Sequence, residues 1–251
     1  MRLLAIVLGT VFLLAAAPAL TLAQDVAEDA VGPDYDPWAP FNERMFTFNH
    51  DVLDRWVMKP AATGWDRALP DVAQRGLGRA FDNLQMPRRV VNHLLQLRPL
   101  AAGEELARFL VNTTAGVVGF VDVAKIGLHL EKSDADMGQT LGMYGVGPGP
   151  YLVLPFMAPL TVRDGIGRGI DGALDPFGYF IPFVAGTAMG IVETVNERSL
   201  NLELFANVEE SVLDLYSAVR NGYLQRRQSM IDERLAERRR PDAAVTRAPE
   251  G

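Results

Sequence analysis

From Met137 to Val162 the chain runs for 26 residues without a charged side chain, MGQTLGMYGVGPGPYLVLPFMAPLTV. That length suits a membrane-crossing helix. The stretch also holds five glycines and four prolines, and a helix interior loses about 3 kcal/mol per proline and about 1 kcal/mol per glycine. An ordinary spanning helix is therefore excluded. The residues are apolar enough for lipid but suited to turns and close backbone approach.

A second uncharged run, Pro176 to Val192, carries Phe177, Tyr179, Phe180, Ile181 and Phe183 and is interrupted by Pro182 and Gly186. Two readings of these runs stay open. One is the buried core of a soluble domain. The other is irregular backbone at membrane depth, which is allowed only where protein covers it or where it lines a polar cavity.

Around the runs the pattern is helical. Phe41, Met45, Phe48, Val52 and Trp56 recur at three- and four-residue spacing, predicting a first helix that Lys59-Pro60 ends. Further helices are expected over residues 70–84, over 88–97 behind Pro87, and over 100–112 with Leu106, Phe109 and Leu110 inward. A short helix is expected within 122–130, and Gly116 and Gly119 allow close packing before it. In the long uncharged run, Tyr144-Gly145-Val146-Gly147-Pro148-Gly149-Pro150-Tyr151 is turn chemistry. It predicts a hairpin pairing residues 141–144 with 151–154. Thr161 with Asp164 three places on is a capping-box pattern, so a helix starts at Val162 and ends between Asp171 and Pro176. Residues 188–205 and a last long helix from Asn207 or Glu209 to Glu237 complete the domain. The fold class expected is all-α.

The first residues, MRLLAIVLGTVFLLAAAPALTLAQD, read as a secretory signal with cleavage after Ala23 or Ala19. A retained membrane anchor is the competing reading. The expected organisation is a signal over 1–23, a flexible acidic leader over 24–35, a helical domain over 36–237 and a disordered tail over 238–251.

Most chemistries are disfavoured. The net charge is −7 and the only lysines are Lys59, Lys125 and Lys132, so no basic field for nucleic acid is present. The sequence has no cysteine, which removes disulfides, thiolate metal sites and cysteine nucleophiles. His50, His93 and His129 are the only histidines. None stands in a zinc-binding spacing, and no serine sits in a G-x-S-x-G elbow. Gly142, Gly145, Gly147 and Gly149 lack the lysine and the βαβ setting of a phosphate loop. No catalytic residue, metal or cofactor is expected, and paired carboxylates such as Glu104-Glu105 are explained by the helix dipole.

The segment from Leu141 to Tyr151, followed by Leu154-Pro155-Phe156 and Thr161-Val162-Arg163-Asp164, resembles the MlaA/VacJ family, the outer-membrane component of the phospholipid-retrieval system of Gram-negative bacteria. Asp36-Pro37-Trp38, Phe41-Asn42-Glu43-Arg44-Met45-Phe46, Asn83-Leu84, Asn112-Thr113 and Tyr216 with Arg220 and Tyr223 extend the match. The resemblance implies a ring of amphipathic helices around a central channel, lying in the inner leaflet of the outer membrane. Phospholipid would pass from the outer leaflet through the ring to a soluble periplasmic carrier, with a porin trimer as a further partner and no bond made or broken. The gate expected is Leu141, Gly142, Tyr144, Gly145, Val146, Gly147, Gly149 and Tyr151. Asn42, Phe46, Thr47, Phe48 and Asn49 are expected to line the channel, with apolar groups for tails and amides for a head group. The competing expectation is a soluble periplasmic lipid carrier. One departure stands out: Leu22-Ala23-Gln24 has glutamine where family members carry a lipid-bearing cysteine. The chain is therefore expected to hold to its membrane without lipidation, through apolar surface, a porin or an uncleaved signal.

Overall fold

The structure, a computed structural model, describes residues 36–239. The expected signal and leader, and the tail from residue 240, lie outside the described residues. Its regular structure is helical apart from one two-stranded ribbon.

Its first helix, α1 (Ala39–Thr47), passes into an 11-residue π-helical segment, Phe48–Met58, and on into α2 (Lys59–Ala68). The junction residues Phe48, Met58 and Lys59 all keep right-handed helical dihedrals. Lys59-Pro60 therefore does not end the helix, contrary to expectation. Pro60 falls in the first turn of α2, where the wide ladder gives way to the ordinary one and a missing N–H is tolerated.

Then follow α3 (Asp71–Leu84), α4 (Met86–Leu95), α5 (Pro99–Thr114) and the short α6 (Val123–Leu128). Pro87 and Pro99 lie in the first turns of α4 and α5. At the α5–α6 corner a side chain on Gly116 would fall 2.2 Å from the Val121 carbonyl, and Gly119 turns at φ +90° against Asn83.

The expected hairpin is corrected. Met137–Met143 is a helix, α7, because the Asp136 carboxylate accepts the Gln139 backbone N–H and caps it. Tyr151–Leu152 (β1) instead pairs antiparallel with Leu160–Thr161 (β2), Tyr151 opposite Thr161. Thr161 caps α8 (Val162–Leu174), accepting the Asp164 N–H, as its capping box predicts. After α9 (Phe177–Phe180) come α10 (Phe183–Leu200), α11 (Leu202–Ser211) and α12 (Leu215–Arg239). The last helix opens later than expected, with Asp214 receiving the Ser217 N–H, and continues past Glu237.

The packing runs in a circuit. α2 lies on α10, α10 on α3, α3 on α4, α4 on α7 and α7 on α12. The circuit closes where the Tyr216 hydroxyl of α12 donates to Asp36 and its ring meets Phe46 of α1 edge-on at 5.5 Å. The all-α class expected from the sequence is found.

Many of the buried side chains are polar, and many of the large apolar ones are exposed. Among the described residues, Glu105, Arg108 and Asn112 are the buried face of α5, whereas Leu106 and Leu110 are exposed. That reverses the inward face expected for Leu106 and Leu110, whereas Phe109 is half-buried and turned inward as expected. The same inversion puts Asn42, Gln74, Arg89 and Asn92 inside and Trp56, Phe180 and Phe183 outside.

The polar interior is tied by an ion cluster. Arg227 of α12 donates to both Asp136 oxygens (2.6 and 2.9 Å) and to Asp164 (2.9 and 3.0 Å). Beneath it α7 and α8 cross on glycine. A side chain at Gly138 would meet Asp164 at 2.4 Å, and one at Gly167 would meet the Gly138 backbone nitrogen at 2.5 Å.

Candidate functional site

Two cavities lie side by side. The first, about 390 Å³, is a polar chamber between α3, α4, α5 and α10. Its wall is a charge lattice. Arg89 donates to Glu105 (2.9 Å) and Asp82 (3.1 Å), Arg108 to Asp122 (3.0 Å), and Lys132 reaches Asp82 at 2.8 Å. Burial alone would push the Asp122 carboxyl up, but hydrogen bonds from Arg108, Asn112 and the Lys125 backbone outweigh it and hold it below the usual range. Arg79 donates to the Phe120 carbonyl at 3.1 Å. These groups face one another because α5 and α3 turn their charged stripes inward.

The second cavity, about 470 Å³, is apolar and bounded by Phe81, Leu84, Phe177, Ile181, Phe183 and Met189. It lies under α9 and the first half of α10. The two lining sets share two residues, Gln85 and Glu193. Gln85 Nε2 donates to Glu193 Oε1 at 2.8 Å, and Arg88 donates to Gln85 Oε1 at 2.6 Å. Burial, then the neighbouring Glu197 charge, raises the Glu193 carboxyl above its ordinary range. Volumes of this size are those of ligand pockets, and the pair offers polar and apolar surroundings in contact. Such a pair can hold an amphiphile, with its charged end among the arginines and carboxylates and its chains among the aromatics. Among the described residues no group of histidines and carboxylates is placed to hold a metal.

None of the site residues expected from the sequence lines either cavity. They gather instead on the far arc of the circuit. Asn42 is fully buried and its amide is consumed: it donates to the Tyr151 carbonyl (2.9 Å) and accepts the Val153 N–H (2.9 Å). Asn49 likewise donates to the Leu154 carbonyl (2.8 Å) and accepts the Phe156 N–H (3.0 Å). The expectation that these amides face a head group is corrected, because both clasp the backbone that follows the glycine-rich turn. Phe46 stacks on His50, Phe48 meets Phe156 edge-on, and Thr47 is exposed.

In the turn itself, Leu141 and Gly142 belong to α7, where a side chain on Gly142 would strike Ile231 at 2.4 Å. Tyr144 is half-exposed and its hydroxyl donates to the Leu95 carbonyl at 2.6 Å. Val146 returns its N–H to Leu141, and Gly147 is half-buried in the irregular stretch beyond. Gly145 and Gly149 take φ +87° and +66°, and nothing lies within 4 Å of the place a Gly145 side chain would occupy. Tyr151 is buried against Tyr216 and Tyr223.

A family model described as MlaA lipoprotein matches residues 34–230. The chain belongs to the MlaA lipoprotein family. An intermembrane phospholipid transport system lipoprotein MlaA from Shigella flexneri is 35% identical over 228 residues, covering 90% of this chain and 87% of the relative. The protein of the same description from Escherichia coli (strain K12) is 34% identical over the same shares, and that from Haemophilus influenzae is 33% identical over 79% of this chain and 80% of its own length. A solved chain described under the structural basis for maintenance of bacterial outer membrane lipid asymmetry superposes with a TM-score of 0.71 at 33% identity. It covers 78% of this chain and 99% of its own length. Against this MlaA background, sequence reasoning missed Arg79, Arg89, Glu105, Arg108, Gln85 and Glu193. The signal was present: Glu105, Arg108 and Asn112 share one helical face at three- and four-residue spacing.

Proposed function

We propose that this chain moves phospholipid between the membranes of a bacterial envelope and so maintains outer-membrane lipid asymmetry. It lies in the inner leaflet of the outer membrane on the periplasmic side. There it takes phospholipid from the outer leaflet and passes it to a soluble periplasmic carrier, beside a porin trimer. The step is a transfer in which no bond is made or broken. The observation that carries this reading is the reversed burial, with a charge-lined chamber between α3, α4, α5 and α10, an apolar cavity that shares two of its wall residues, and large apolar side chains exposed. The names of the relatives point the same way. No helix among the described residues is long and apolar enough to cross a membrane, which fits helices lying in one leaflet. The Gly142–Tyr151 turn is the mobile gate of this reading; the open space at Gly145 and its positive φ support that role.

Mass analysis of lipid bound to detergent-purified protein tests the proposal. Phospholipid bound at about one molecule per chain is the expected result. Protein that never carries phospholipid, or that releases free fatty acid or head group from it, refutes the reading. Recovery in the soluble periplasm without detergent would instead establish the carrier alternative.

A further inference from the structure

The polar chamber and the apolar cavity meet at one place. Gln85 and Glu193 are the residues common to both walls, and their side chains are joined across it at 2.8 Å. We propose that the Gln85–Glu193 hydrogen bond is the closed latch of the passage between the two cavities, and that an amphiphile crosses only when it opens. This rests on the phospholipid-moving function proposed above.

The position of the pair supports a latch. Gln85 ends α3 and precedes α4, so it sits on a corner of the circuit. Glu193 lies in mid-α10, the helix that covers the apolar cavity. The bond therefore ties a corner of the frame to the cavity's lid. An apolar chain can rest on the phenyl side of the pair and a charged head group on the arginine side. A molecule that has both must straddle or part the pair.

Its chemistry distinguishes it from the rest of the wall. Arg89 with Asp82 and Glu105, and Arg108 with Asp122, are pairs of opposite charge. Gln85 to Glu193 is a single bond with an uncharged donor, and so weaker than those ion pairs. The groups facing Glu193 are Arg88 from α4, Asp82 from α3 and Glu197 one turn along α10. The two carboxylates oppose its charge, and Arg88 is already engaged by the Gln85 carbonyl oxygen. Gln85 stays fixed on Arg88 when the bond breaks, so the moving part is the Glu193 side chain, while α10 itself is held one turn on by Asn196, which donates to the Gln74 carbonyl (2.9 Å) and accepts from Trp65 (3.1 Å). On the face of α10 toward the apolar cavity there is room: nothing lies within 4 Å of a side chain placed at Gly190, and at Gly186 the nearest atom is 3.8 Å away.

The absence of cysteine from the sequence makes the test direct. The full chain with Gln85→Cys and Glu193→Cys is reconstituted in vesicles of phosphatidylethanolamine and phosphatidylglycerol and bridged with a short, reducible bis-thiosulfonate reagent. Transfer of fluorescent phosphatidylethanolamine to acceptor vesicles is then followed. Wild-type transfer above protein-free vesicles is expected; its absence refutes the phospholipid-moving function and the latch with it. The bridged variant should fall to the protein-free rate and recover at least tenfold when reductant is added to the same sample. Undiminished transfer while bridged overturns the latch and leaves the function standing. The exchanged pair Gln85→Glu with Glu193→Gln keeps the bond and its volume and should transfer within twofold of wild type. If it falls to the protein-free rate, a hydrogen-bonded latch is overturned, whatever the cysteine pair does.

Discussion

Arg227 holds two carboxylates that burial would otherwise protonate. For both Asp136 and Asp164 burial is the largest influence and pushes the carboxyl up. The Arg227 hydrogen bonds and charge outweigh it, aided by the Gln139 N–H at Asp136 and by Arg163 and Tyr223 at Asp164. Both groups end below the usual carboxylate range. Their stabilisation is therefore complete above about pH 4 and is lost as pH falls through their depressed values. Arg227→Met removes the counter-charge and leaves the pair buried, which costs about 3–5 kcal/mol. It also reverses the sign at Asp136. With Arg227 gone, burial and the Asp164 charge act against the Gln139 N–H alone and that carboxyl rises above its ordinary value, so the variant gains stability as pH falls from 7 toward 5, where wild type is flat. Denaturant unfolding in detergent at both pH values checks this. A variant that is equally stable at the two, or less stable at pH 5, would show that Arg227 is not the group that keeps Asp136 ionised.

At the scale of elements, the glycine-rich turn spans α7 and β1, and both ends are fastened: α7 by its Asp136 cap, and the residues after β1 by the Asn42 and Asn49 clasps. Between them, nothing lies within 4 Å of the place a Gly145 side chain would occupy. Gly145→Val meets no clash there but forces a β-branched residue to positive φ, which costs about 1–3 kcal/mol and biases the turn toward another backbone conformation. The variant should stay folded by circular dichroism and fail to restore detergent resistance to a deletion strain. Full restoration would show that the turn is not the gate. Part of this was legible in sequence. Thr161 with Asp164 marked a helix start, and Pro87 and Pro99 marked two more. The strand partner was not, because Tyr144 to Tyr151 carries stronger turn residues than the loop between β1 and β2. The overlooked signal was Asp136 with Gln139 three places on, a cap that commits the next residues to helix. The chamber was missed for a different reason. Helical periodicity divides α5 into a Leu106–Leu110 face and a Glu105–Arg108–Asn112 face, but it does not say which faces in. That depends on whether the surroundings are water or lipid.

For the whole molecule, that choice of surroundings decides the burial pattern. In water a ring with arginine and asparagine inside and leucine and phenylalanine outside would leave its largest apolar groups hydrated, at about 25 cal/mol for each Å² exposed. In a single leaflet the same ring places those groups in hydrocarbon and keeps its ion pairs in a protein-lined interior. Phe180 and Val184 test this cleanly: they are 83% and 78% exposed and line neither cavity. Each withdraws about 1.5–3 kcal/mol of apolar surface from water when it enters lipid. Phe180→Ser with Val184→Ser should therefore lower partition of the purified chain into liposomes by about two orders of magnitude or more. Its folding should change by less than about 0.5 kcal/mol per site, because neither side chain is buried in the protein. Sedimentation with liposomes at graded lipid concentration separates the two effects. If binding is unchanged, this end of the molecule faces water or a protein partner, and the leaflet-embedded arrangement fails there even though the chamber and the latch remain.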